Sequence, residues 1–118
     1  MLLTKESDYA LRIMKELADG EQKKMKDICA SEMIPTQFAY KILKKLEKGG
    51  VVKIVRGVKG GCRLNTDLET CSLYNILEIM GEKQVVNGET DRAQSHLLRI
   101  QESLNEMLKK QTLAELLQ

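Results

Sequence analysis

LEKGGVVKIVRGVKGGCRL, residues Leu46 to Leu64, changes its period twice. Its charged start has the look of a helix end running into Gly49-Gly50. A β-branched run follows, Val51-Val52-Lys53-Ile54-Val55, and this composition favours a pleated strand over a helix. Then comes a turn, Arg56-Gly57-Val58-Lys59-Gly60-Gly61, in which glycines tolerate the positive φ that tight turns need. A second short strand is expected over Cys62 to Asn65. Helix, glycine turn and hairpin with two cations at its tip form the outline of a winged helix, a shape suited to nucleic acid.

The residues before this stretch supply the helices that such a hairpin needs. Thr4 can cap a first helix, with Glu6 and Asp8 in the first turn, where the helix dipole favours acids. Ala10, Ile13, Met14 and Leu17 fall at i, i+3, i+4 and i+7, an apolar stripe that ends at Gly20. After a polar loop, Glu21 to Lys24, a short helix is expected over Met25 to Glu32, burying Ile28 and Cys29. Met33-Ile34-Pro35 breaks the chain. A third helix follows over Thr36 to Lys48, with apolar positions Phe38, Ile42, Leu43 and Leu46. Its other face carries Gln37, Tyr40, Lys41, Lys44, Lys45 and Lys48.

Beyond the hairpin, Ser72 can cap a fourth helix with Leu73, Ile76, Leu77 and Met80 on its core side. Residues 82–91 lack periodicity. A long helix is expected over Thr90 to Lys110. Ala93, Leu97, Ile100, Leu104 and Met107 step by 4, 3, 4 and 3 along it, a heptad seam. A seam on a long helix at the end of a small domain calls for a partner, and self-association is the commonest answer. Thr112 to Leu117 reads as a short closing helix.

The chain has 118 residues, enough for one domain, and is 42% hydrophobic with one Phe and no Trp, so its core is aliphatic. Net charge is only +2, but residues 1–66 hold 14 basic against 8 acidic side chains and residues 67–118 hold 5 against 9. Residues 36–63 alone hold 8 cations and one acid, Glu47. A basic front and an acidic rear point to a polyanion-binding half and a half with another task. No apolar run is long enough to span a membrane, nothing at the start resembles a signal peptide, and three cysteines without close spacing do not form a disulfide framework. Cytoplasmic location is the expectation. No nucleophile–base pair, phosphate loop or metal cluster is legible, and His96 is the single histidine, so the sequence does not read as an enzyme.

Five landmarks in order resemble the Rrf-two (IscR/NsrR/CymR) family of winged helix-turn-helix transcriptional regulators. Leu3-Thr4 and Asp8-Tyr9-Ala10-Leu11-Arg12 look like its first helix. Lys41 to Val52 looks like its recognition helix and exit. Arg56-Gly57-Val58-Lys59-Gly60-Gly61-Cys62-Arg63-Leu64 matches its wing signature. Ser72-Leu73 with Ile76, and Thr112 to Leu116, match two later landmarks. The resemblance implies a mainly α fold with a small β-hairpin wing and a long C-terminal dimerisation helix. Residues 1–66 would form the DNA-binding region, and 67–118 the linking and dimerisation helices of the same compact unit.

The resemblance also implies a homodimer that reads an inverted repeat in double-stranded DNA, as a repressor. Thr36, Gln37, Tyr40 and Lys41 occupy the end of the third helix that would enter the major groove. Gln37 can pair with adenine and Lys41 can donate to guanine. Lys44 and Lys45 would meet phosphates, which give affinity and salt dependence. Arg56 would enter the minor groove and Lys59 the adjacent backbone. Many family members hold an iron–sulfur cluster on three cysteines before the long helix. Here that loop, Gly81 to Asp91, has no cysteine, and thiolates are the ligands such clusters need. No cofactor or metal is therefore expected, and the effector would be a protein, a small molecule or thiol oxidation. Cys62, among Arg56, Lys59 and Arg63, is the candidate redox thiol, because positive surroundings lower a thiol's pKa. A winged helix that binds proteins instead of DNA is the remaining alternative. Two departures bear on the third helix: Pro35 stands where the family has a Ser cap, and Met33 where it has a turn glycine. A left-handed Met33 would cost about 1 kcal/mol.

Overall fold

The computed structural model describes residues 4–81 and 92–118, with side chains in the second segment described from residue 95. Helix α1 (Lys5–Glu16) starts at Thr4, whose hydroxyl accepts from the Ser7 amide at 3.2 Å. Its stripe of Ala10, Ile13 and Met14 is buried, as the spacing predicts. Helix α2 (Met25–Glu32) and helix α3 (Thr36–Lys48) are joined by a turn in which Met33 is left-handed, with φ 55° and ψ 46°. The Met33 amide closes that turn on the Cys29 carbonyl, the geometry a glycine usually provides. Pro35 enters α3 without a side-chain cap.

Strands β1 (Val52–Val55) and β2 (Gly61–Leu64) pair antiparallel, with Val52 opposite Leu64 and Val55 opposite Gly61. Each lies within one residue of its expected limits. Gly57 takes φ 106° in the connecting turn, a region closed to residues with a Cβ. The loop read as merely polar is also part of the sheet edge. The Lys23 amide donates to the Cys62 carbonyl at 2.9 Å, and the Cys62 amide returns the bond at 2.8 Å. Gly61 permits this approach, since a Cβ there would stand 2.5 Å from the Lys23 carbonyl oxygen.

Helix α4 (Leu73–Ile79) opens with a capping box between Ser72 and Asn75. Helix α5 (Arg92–Lys110) leads to α6 (Leu113–Leu116), which returns to the start of α4. Leu73 donates to the Gln111 carbonyl and Leu113 to the Cys71 carbonyl, both at 2.8 Å. One apolar cluster runs from α1 through Ile28, Ile42, Leu46, Val52 and Cys62 to Cys71, Ile76 and Leu113. Cys29 is buried, as expected, and Cys71 is buried too.

Phe38 corrects the sequence reading. The buried stripe of α3 is Ala39, Ile42, Leu43 and Leu46. Phe38 lies about 100° round the helix from Ala39 and is exposed, its ring tilted toward that of Tyr9 at 6.3 Å. Among the described residues, no helix is long and apolar enough to cross a membrane.

Candidate nucleic-acid interface

Helix α3 turns one face to solvent because its other face is fixed by the core. Thr36, Gln37, Tyr40, Lys41 and Lys44 are all exposed, and Lys45 is half-buried. Gln37 and Lys44 lie roughly opposite the Ile42–Leu46 stripe by the helical repeat. Tyr40 turns toward the hairpin. It lines a groove of about 270 Å³ with Leu43, Ile54, Gly57 and the start of α2 at Lys24 and Lys26. The wing presents Arg56 and Lys59 at its tip, both exposed, with Val58 almost fully exposed between them. Gln22 Nε2 donates to the Lys59 carbonyl at 2.8 Å and ties the tip to the loop before α2.

Two acids set the electrostatics of this face. Glu47, the single acid of residues 36–63, is turned inward: its Oε2 accepts from the Ile54 amide at 3.0 Å and anchors β1 to α3. Glu6 comes from α1. Its Oε1 lies 3.1 Å from Lys41 Nζ and its Oε2 lies 2.9 Å from Lys45 Nζ. Hydrogen bonds from Lys45 and then Lys41 hold its carboxyl below the usual glutamate range. The sequence reading missed this contact. Glu6 was legible only as a first-turn acid, and nothing local links it to residues on another helix.

The electropositive surroundings expected to lower the Cys62 thiol are not found. The Cys62 side chain is fully buried beneath the Lys23 bridge, and burial pushes the thiol up to about 11, with Cys29 adding to the rise. Arg63, next along the strand, and Arg56 and Lys59, in the turn, are all exposed to solvent while the sulfur is buried. A buried neutral thiol is a poor nucleophile.

Along the α5 seam Leu104 is half-buried, whereas Leu97, Ile100 and Met107 are exposed, the last two by 57% and 68%. Leu108, beside the seam, is buried. The side chain of Ala93, and the loop from Glu82 to Asp91, lie outside the described residues. His96 is exposed.

An iron–sulfur cluster does not suit these residues. Among the described residues no three of His, Cys, Asp and Glu gather where an ion could be held. All three cysteines are buried, and residues 82–91 contain none. Asp8 is engaged by Arg12 Nη2 at 3.0 Å.

Comparison with known proteins agrees with this architecture. The chain is 31% identical over 81 residues to Protein aau3 of Rhizobium meliloti, covering 67% of this chain and 53% of that protein. It is 33% identical over 85 residues to the HTH-type transcriptional regulator IscR of Vibrio vulnificus, covering 70% and 51%. It thus spans about half the length of these curated relatives. CymR (YrzC), the global cysteine regulator of B. subtilis, superposes with a TM-score of 0.82 at 22% identity, over 99% of this chain and 96% of that one. A family model described as "Rrf2: Iron-dependent Transcriptional regulator" matches residues 3–118. With helix, helix-turn-helix, wing and long helix all in place, the chain belongs to the Rrf2 family of transcriptional regulators.

Proposed function

We propose that this chain is a homodimeric, sequence-specific DNA-binding transcriptional regulator that acts as a repressor without an iron–sulfur cluster. One observation carries the reading. The solvent face of α3 and the wing tip together offer Gln37, Lys41, Lys44, Arg56 and Lys59, while the one acid of that stretch is turned into the protein. A helix of this kind fits the major groove, with Thr36, Gln37, Tyr40 and Lys41 at the base edges and Lys44 and Lys45 nearer phosphates. Arg56 would enter the adjacent minor groove, and Lys59 its backbone.

The exposed apolar residues of α5 support pairing with a second copy. Leu97, Ile100 and Met107, with Leu104 and Ala93 completing the spacing, form a face that water penalises and a symmetric partner would cover. Two copies present two recognition helices to an inverted repeat. The family is described as iron-dependent, yet the donor set of this chain lacks clustered thiolates. Its signal is therefore a partner protein or a small molecule. The site of action is the cytoplasm.

The test is selection of bound sequences from a random duplex pool, with Arg56→Ala in parallel and Ile100→Lys followed by sedimentation. Recovery of one inverted-repeat site, weakened by Arg56→Ala, supports the reading, as does a dimer lost in Ile100→Lys. Recovery of no site, with wild type monomeric at micromolar concentration, refutes it and favours a protein-binding winged helix.

A further inference from the structure

The recognition helix carries four cations on its solvent side, and two of them are already paired. Lys41 and Lys45 stand one turn apart on the side of α3 that faces α1. A single carboxylate spans them, one oxygen to each ammonium, at 3.1 Å and 2.9 Å. Glu6 is held in place to do this. It sits in the first turn of α1, next to the buried Ser7, and α1 packs directly on α3. Lys44 and Lys48 are exposed, and among the described residues no ion pair is formed by either.

We propose that Glu6 is a specificity-determining residue that masks Lys41 and Lys45 from non-specific DNA. The inference rests on the DNA-binding reading above. Its physical basis is competition. A phosphate reaching either lysine must displace or share a carboxylate that already neutralises it. Random duplex offers only phosphate attraction, so it gains little from these two lysines. An operator that also satisfies Gln37 and Arg56 brings added binding energy and can draw Lys41 off Glu6 toward a base edge. Masking thus removes more from non-specific than from specific binding, and widens the ratio between them.

The expected size follows from counterion release. Each new phosphate contact steepens the dependence of log affinity on log salt by about 0.9. Freeing one lysine then adds roughly a 3.5-fold loss of affinity between about 50 and about 200 mM salt, and freeing both adds roughly 12-fold. Three variants separate this from simple charge. Glu6→Gln removes the mask. Glu6→Asp keeps the charge but is one methylene too short to span both lysines. Glu115→Gln on α6 makes the same change in net charge away from α3.

Binding to random-sequence duplex is measured across salt, with heparin-agarose elution and the thermal midpoint alongside. Glu6→Gln and Glu6→Asp should bind random duplex more tightly than wild type, with a salt slope steeper by about 1 to 2. Both should elute later from heparin than wild type, and Glu6→Gln later than Glu115→Gln. The gain should vanish when Lys41→Gln and Lys45→Gln are also present. Masking is overturned if Glu6→Gln matches Glu115→Gln, if the gain survives without the two lysines, or if binding weakens. A heparin shift in a protein that binds no duplex at any salt would uphold masking and defeat the DNA-binding reading. Firm duplex binding without any Glu6 effect would do the reverse. Should Glu6→Gln melt before assay, Glu6→Asp decides alone.

Discussion

Met33→Gly should stabilise this protein, although it removes a large side chain. Met33 has φ 55° and ψ 46°, and it is the sole non-glycine residue with positive φ among the described residues. A residue with a Cβ pays roughly 1–2 kcal/mol for that conformation. Glycine is free of the penalty but adds backbone entropy to the unfolded chain, worth roughly 0.5–1 kcal/mol. The Met33 side chain is 83% exposed, so deleting it forfeits little packing. The net expectation is a gain of about 0.5–1 kcal/mol. At roughly 2.1 cal/mol/K per residue, the unfolding entropy of a chain this long is roughly 250 cal/mol/K, so the midpoint should rise by about 2–4 °C.

Met33→Ala is the decisive control in the same thermal melt. Alanine keeps the Cβ and so keeps the left-handed cost, and it should melt close to wild type. A glycine variant that melts with or below the alanine variant would show that strain at Met33 is not what limits this turn.

Three further outcomes follow from the packing and the ionisation of the chain. Gly61→Ala forces a Cβ to 2.5 Å from the Lys23 carbonyl oxygen, so it should destabilise by about 2 kcal/mol and expose the Lys23 and Cys62 amides to hydrogen exchange. Cys62, buried and with its thiol pushed up to about 11, should resist iodoacetamide at neutral pH until the protein is unfolded, and labelling of the folded protein would contradict its burial. Glu32 has its carboxyl raised by the hydrogen bond it shares with Glu16 and by burial. A raised acid contributes stability that is complete below about 4.5 and fades as pH climbs through its folded value. Glu32→Gln can donate to Glu16 at every pH, so its melting point relative to wild type should climb between pH 4 and pH 8, and a flat difference would refute this.

The fold was legible where one signal sufficed. The stripe of α1, the Thr4 and Ser72 caps and the glycine-bounded hairpin each follow from spacing within a dozen residues, and each forms as read. Phe38 failed because periodicity assigns an angle on the helix but not the edge of the partner. At the margin of the buried stripe, α1 offers Tyr9 and open solvent instead of core. Cys62 failed for a related reason. Arg63 follows it directly, but a strand alternates its faces, so that charge points away from the buried sulfur. What covers that sulfur is Lys23, 39 residues earlier, which sequence proximity could not supply.

The same limit explains why the proposed DNA face was only half legible. Residues 36–63 identify its cations, and a count treats them as equal. Tertiary structure makes them unequal in three ways. Lys44 stands free of any partner acid in the ion pairs described, Lys41 and Lys45 share Glu6, and Glu47, the nominal counter-charge, is committed to the Ile54 amide. The effective charge of α3 is therefore set in part by α1. On the reading proposed above, a change at Glu6 alters affinity without altering any of the residues assigned to DNA, whereas a change at Glu47 acts first on how β1, and with it the wing, is joined to α3. Two acids close to one basic surface thus have separable consequences, one electrostatic and one geometric, and their net charge alone would not distinguish them.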